Sequence, residues 1–426
     1  MSAPARTHQS TDGQTTARLV RSVDALERLF YRYAERNPAH FCQTAEFEVR
    51  FTGTEVRAAL SAVQERHPLL SVHVEDRPGS RLGFYRAETV APIDLTIHES
   101  DRPWQSFAAA ELARPFDRST APLMRAVLVN NQTGSTILLT FDHTAADGIS
   151  SVTVMRDLVN ALNGQASTRR DLPPSMEEMV ARAVQRTETP TADASPDPRM
   201  SKPASIRPFD GTHPDVRTVT LDTTQTARLV QRCRAEQTTV HAALIAAASR
   251  VHATMVGKEF VRTLSPINVR PLVGGVGDCA DYFVCTVTGM TPWDGTAFWD
   301  QARAMTGELT IARSESGIAA VSATIEQAMP VDAESAAAEH LFTKAFPYDL
   351  LITNLGVQDL DVRGSITPTT LWGPILQSQI DDHVIGVTTY GGRMRMVATG
   401  YTPSAMFIET VKQTLLYSIQ PATAPS

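Results

Sequence analysis

The chain has 426 residues, 42% hydrophobic and 20% charged, with a formal net charge of −7. That length and apolar content suit two or three globular domains that bury a large core without staples. Its Lys and Arg residues are scattered rather than run together, which gives no nucleic-acid or anionic-lipid face, and no apolar stretch approaches the roughly 20 residues of a membrane span.

Residues 1–17 are polar and lack the apolar run of a signal peptide; like the tail 420–426, their composition predicts disorder. Residues 23–34 are apolar-periodic and predict a helix, and 44–51 alternate as a strand. Residues 54–64 predict a second helix and 69–75 a strand after His67-Pro68. Residues 122–129, the turn 130–134 and Ser135–Asp142 together predict a β-hairpin. A helix follows, with Val152, Met155, Leu158, Val159 and Leu162 on one face, Ser150 or Ser151 as its cap and Gly164 as its stop.

Residues 18–164 thus form a first half. Residues 165–205 are rich in proline around one short helix, 175–186, and predict a linker or crossover. A second half, 206–419, repeats the grammar. It has a strand at 217–221, helices at 224–235 and 239–254, and strands at 260–267 and 349–353. A hairpin, 383–390 and 393–400, turns through Gly391-Gly392, and a terminal helix starts at Pro403-Ser404 and runs through Phe407, Val411 and Leu415. The predicted fold class is mixed α/β, in two halves. The cysteines Cys42, Cys233, Cys279 and Cys285 fit no zinc spacing, so they read as reduced thiols of a cytoplasmic protein. Asp381-Asp382-His383 imitates a metal triplet but reads as a solvated loop; no metal site is expected.

The chemistry is concentrated at Phe141-Asp142-His143-Thr144-Ala145-Ala146-Asp147-Gly148. An imidazole with pKa near 6.5 suits removal of a proton from an attacking acceptor, a contribution of about 10²–10⁴-fold. Small neighbours keep the turn around His143 narrow, and Gly148 allows a conformation or an approach that a Cβ would obstruct. Asp147 has two readings: the orienting partner of His143, or the partner of an arginine elsewhere that locks the loop. No GxSxG elbow is present, and Gly274-Gly275-Val276-Gly277 lacks the lysine of a phosphate loop. Direct transfer without an acyl-enzyme is therefore the simpler mechanism.

The HxxxDG segment resembles the motif of the chloramphenicol acetyltransferase/condensation-domain superfamily. The order of Leu26-Glu27, Arg66-His67-Pro68-Leu69-Leu70, Pro115-Phe116-Asp117 and Pro122-Leu123-Met124-Arg125 is that of the family's first half. Pro266-Ile267-Asn268-Val269-Arg270 and Thr353-Asn354-Leu355-Gly356 are similar to segments of its second half. The resemblance implies two halves, each like one chloramphenicol acetyltransferase subunit, meeting at an active-site tunnel. A thioester on an acyl carrier protein or coenzyme A enters one end as co-substrate, and the acceptor enters the other. It implies His143 as base, Asp147 as a structural partner of Arg270, Gly148 as a motif residue, and Asn354 as tunnel wall or simple turn residue.

Many condensation domains carry a histidine where this chain has Asp142, and Asp281-Tyr282-Phe283 only faintly echoes the late DFGWG motif of plant acyltransferases of the superfamily. With no carrier or adenylation segment attached, these departures point to the free-standing, polyketide-associated type. The expected activity is O-acyl transfer to a hydroxyl of a lipid or natural product, by a monomer. The alternatives are an amide-forming condensation enzyme and a catalytically silent carrier-binding scaffold.

Overall fold

A computed structural model describes residues 17–77, 82–184, 197–377, 380, 383–402 and 404–420. The readings on the tail, on Pro403, on Asp381-Asp382, on nearly all of the N-terminal segment and on part of the proline-rich stretch lie outside those residues. Two large sheets carry the fold. The first has the order Thr370–Leu376, His40–Phe47, Ser135–Asp142, Met124–Asn130, Asp94–Glu99. The second has the order Phe283–Met290, Val261–Asn268, Leu350–Val357, Val384–Tyr390, Arg393–Gly400, Asp215–Leu221. A small sheet of Arg18–Ser22, Gly83–Arg86 and His73–Glu75 flanks them. The fold is mixed α/β in two halves, as expected.

Each sheet is covered by the helices whose apolar faces the sequence marks. On the first sheet, Val56, Leu60 and Val63 of helix Gly53–Arg66 and Val152, Met155 and Leu158 of helix Gly148–Leu162 pack on Phe41, Ile137 and Leu139. On the second, the alanine-rich helix Val240–Val256 is buried from His241 to Ala253 apart from Arg250, between strands and the helices Phe298–Ala312 and Ser404–Ser418. Each large side chain so buried stabilises by roughly 1.5–3 kcal/mol before entropy is counted. The Arg66-His67 pair joins two helices: both side chains reach Asp157 of the motif helix, at 2.6 and 3.0 Å.

Several boundaries move. The strand expected at 44–51 is His40–Phe47, because it lies between two others and is buried at nearly every position, leaving no alternation to read. Pro68 starts a 3₁₀ turn, Pro68–Ser71, so the strand that follows shrinks to His73–Glu75. His383, expected on a solvated loop, is buried with its ring stacked on Phe407 at 4.1 Å. Strand Thr370–Leu376, from late in the chain, crosses to pair with His40–Phe47 in the first sheet. The segment after the motif helix docks rather than hangs: helix Met176–Ala183 donates through Met176 N to Asp24, and its Glu177 accepts from Ala25 N. Asp24 also closes the capping box of helix Ala25–Ala34, which carries Phe30 and Tyr33 to the cleft between the halves.

Candidate active site

Strand Ser135–Asp142 ends in a tight turn. Asp142 Oδ1 accepts from Thr144 N at 2.9 Å, its carbonyl accepts from Ala145 N, and His143 N donates to Ala39 O. Asp142, where the resemblance has a histidine, therefore folds the loop that presents His143. The helix cap is Asp147, not the expected Ser150 or Ser151: Asp147 Oδ1 accepts from Ser150 N at 2.7 Å.

Asp147 is saturated. Arg270 binds it through two nitrogens, at 2.6 and 3.1 Å, and Tyr282 N donates at 3.0 Å. Burial alone would raise its pKa, but Arg270 and these donors hold the carboxyl below its ordinary value. Arg270 reaches Ser150 Oγ and Ala280 O as well, each at 3.0 Å. Ser150 Oγ in turn donates to Ala280 O and accepts from Ala280 N. The motif loop of the first half is thereby clamped to residues 280–282 of the second. Of the two readings of Asp147, the geometry is that of the arginine partner.

His143 looks into a cavity of about 180 Å³ between the halves. Its ring stacks on Phe30 with centroids 4.0 Å apart and planes within 5°, and Phe41 and Phe283 lie at 5.0 and 5.3 Å. These rings fix the imidazole plane and keep water from its faces. The Nδ1 atom faces Asp281 Oδ1 at 3.5 Å. Asp281 is buried, and neither of its oxygens has a hydrogen-bond partner among the described residues. Burial pushes its carboxyl up to about 7. For His143 burial is the largest single influence and works downward, but the charge and facing oxygen of Asp281, with the charge of Asp147, together raise the imidazole above its ordinary value.

Gly148 and Asn354 both line this cavity. Gly148 has no left-handed backbone, so conformation is not its reason; a Cβ there would stand 2.8 Å from Leu355 Cδ2 and 3.5 Å from Pro374 Cγ. Asn354 Oδ1 accepts from Gly356 N at 2.8 Å, so it is a turn residue whose position also borders the cavity. Cys285 lines it too, with its thiol pushed up to about 12 by burial and unfit as a nucleophile at neutral pH. His40 is a second lining histidine. Its Nε2–H donates to Glu111 O at 2.9 Å, and burial with Arg125 nearby lowers it to about 3, which keeps it neutral. Asp281 and the aromatic box escape sequence reasoning. The DYF triplet was the one signal that touched Asp281, and it does not show which residue the carboxyl faces.

Residues 27–182 match the family model of the condensation domain, from the first helix through the HxxxDG loop to the docked helix beyond it. Over the whole chain the fold is like that of solved structures, a condensation domain among them. Polyketide synthase associated protein 5 from Mycobacterium tuberculosis superposes with a TM-score of 0.67 at 15% identity, over 95% of this chain and 99% of that one. The first condensation domain of the CDA synthetase gives 0.69 at 13%, over 96% and 98%. Phosphinothricin tripeptide synthetase PhsC of Streptomyces viridochromogenes is 34% identical over 132 residues, 29% of this chain. The chain spans 12% of that relative's length, and 9% of a plipastatin synthase polypeptide of Bacillus subtilis, to which it is 26% identical over 242 residues.

Proposed function

We propose that the chain moves an acyl group from a thioester, carried by an acyl carrier protein or coenzyme A, to a hydroxyl acceptor, with His143 as general base. The observation that carries this reading is the placement of His143. Its Nδ1 is buried and its Nε2 is left to an apolar cavity that opens between the halves. The acceptor O–H gives its proton to Nε2 as its oxygen attacks the thioester carbonyl. The tetrahedral intermediate collapses, the C–S bond breaks, and the leaving thiolate recovers the proton from the imidazolium. Cys285 is too weakly acidic to intercept the acyl group, which favours direct transfer.

Asp142, in the place of the first histidine of many condensation domains, favours an ester over an amide product. The amide reading has its own support in the condensation-domain match and in a relative named as a tripeptide synthetase. Thioesters of graded chain length on coenzyme A and on a carrier protein, offered to matched alcohols and amines, separate the two by product mass. The proposal expects ester and released thiol. Amide formation with inert alcohols would overturn the ester reading, and no acyl transfer across the panel would leave the scaffold reading in its place.

A further inference from the structure

The side chain of Asp281 is a buried carboxyl with no hydrogen-bond partner among the described residues, and such a group calls for a reason. Its neighbours on both sides are held by the motif clamp. Ala280 bonds Ser150 through its N and O and takes Arg270 on its carbonyl, while Tyr282 N is held by Asp147. The backbone at 281 is thus fixed from the HxxxDG loop, and the side chain between these anchors faces His143 Nδ1 at 3.5 Å. A carboxylate needed only for folding has better places than beside the buried nitrogen of His143 with both oxygens unbonded.

We propose that Asp281 is the positioning residue of His143. Its carboxylate takes the Nδ1–H, which fixes the tautomer with Nε2 bare toward the cavity, and it stabilises the imidazolium formed when the acceptor's proton arrives. Asp147 then acts on the base only indirectly, by anchoring the segment that aims Asp281. The inference rests on His143 being the base. The charged and titratable groups that bear on Asp281 are His143, Asp147 and Glu27, with Arg270 and Cys279 beside them. The active form of the pair is neutral His143 with ionised Asp281, so the rate rises with pH as the pair loses its last proton.

The test is kcat/KM against pH for the full chain and its Asp281→Asn variant, on whichever acyl thioester and acceptor the wild type turns over. In D281N burial still lowers the imidazole, while the larger of the two charges that raised it is gone and only that of Asp147 remains. The acidic limb is expected to move to lower pH, and the plateau to fall by roughly 10²-fold as the imidazolium loses its counter-charge. A limb in the same place and a plateau within about twofold of wild type would overturn the proposal. Proton NMR of the wild type gives a reading that needs no folded D281N: a downfield Nδ1–H resonance that His143→Gln removes is expected, and its absence at low temperature would contradict the pairing. Loss of rate in H143Q with wild-type behaviour in D281N would remove the Asp281 role alone. Retention of rate in H143Q would instead remove the base assignment on which it rests.

Discussion

Two buried aspartates, brought together by one loop, are treated in opposite ways. Asp147 has an arginine on two of its bonds and two backbone N–H groups besides, and its carboxyl is held below the ordinary range. Asp281, one residue from the Tyr282 that Asp147 binds, has neither oxygen hydrogen-bonded among the described residues and is raised to about 7. A saturated buried charge locks structure and has little left to give. An unsaturated one stores interaction free energy for a state not yet formed, here the imidazolium of His143. The difference separates the part of the motif that holds the halves together from the part that meets the substrate.

The comparison breaks most severely at Arg270. Arg270→Ala leaves Asp147 charged and unpaired, which costs about 3–5 kcal/mol. The expected outcome is a large drop in the denaturation midpoint or insoluble protein, read by thermal or urea unfolding. Near-wild-type stability would show that the clamp is not what joins the loop to residues 280–282.

Stability against pH sharpens the same contrast for Asp281. Its folded pKa is raised, so the stability it contributes is present below its ordinary value near 3.9 and is lost as pH rises through about 7. His143, also raised, adds in the same direction. The melting temperature of Asp281→Asn relative to wild type should therefore climb between pH 4 and pH 8, measured by scanning calorimetry. A difference that stays flat or falls would mean Asp281 is a satisfied structural charge after all.

The smallest effect is expected at Gly148→Ala. Its Cβ meets the end of the Leu355 side chain, which can swing, so the loss of stability should stay near 1 kcal/mol. The added methyl intrudes into the cavity, and a rise in KM larger than the fall in kcat would show it. Unchanged kinetics would place the substrate away from this wall.

What the sequence made legible was what depends on near neighbours. The hairpin ending at Asp142, the turn and the amphipathic helix after it are local patterns, and they put His143 on a loop at a strand end. Arg270 was legible only through the resemblance. Nothing local marks it, since its meaning comes from a partner in the other half of the chain. Asp281 was missed because a lone acid after Ala280 carries no period or spacing; only the clamp on Ala280 and Tyr282 turns it toward His143. Strand Thr370–Leu376 was hidden for a related reason. Gly373-Pro374 interrupts any strand-like run, and its pairing partner belongs to the first sheet.

The most direct test of the account is kcat/KM of His143→Ala against wild type, with melting temperatures measured alongside. A fall of roughly 10²–10⁴-fold with cooperative unfolding retained and only a modest shift in melting temperature is predicted, because the ring serves the reaction while its stacking is a small part of the core. A variant that keeps the wild-type rate would contradict it.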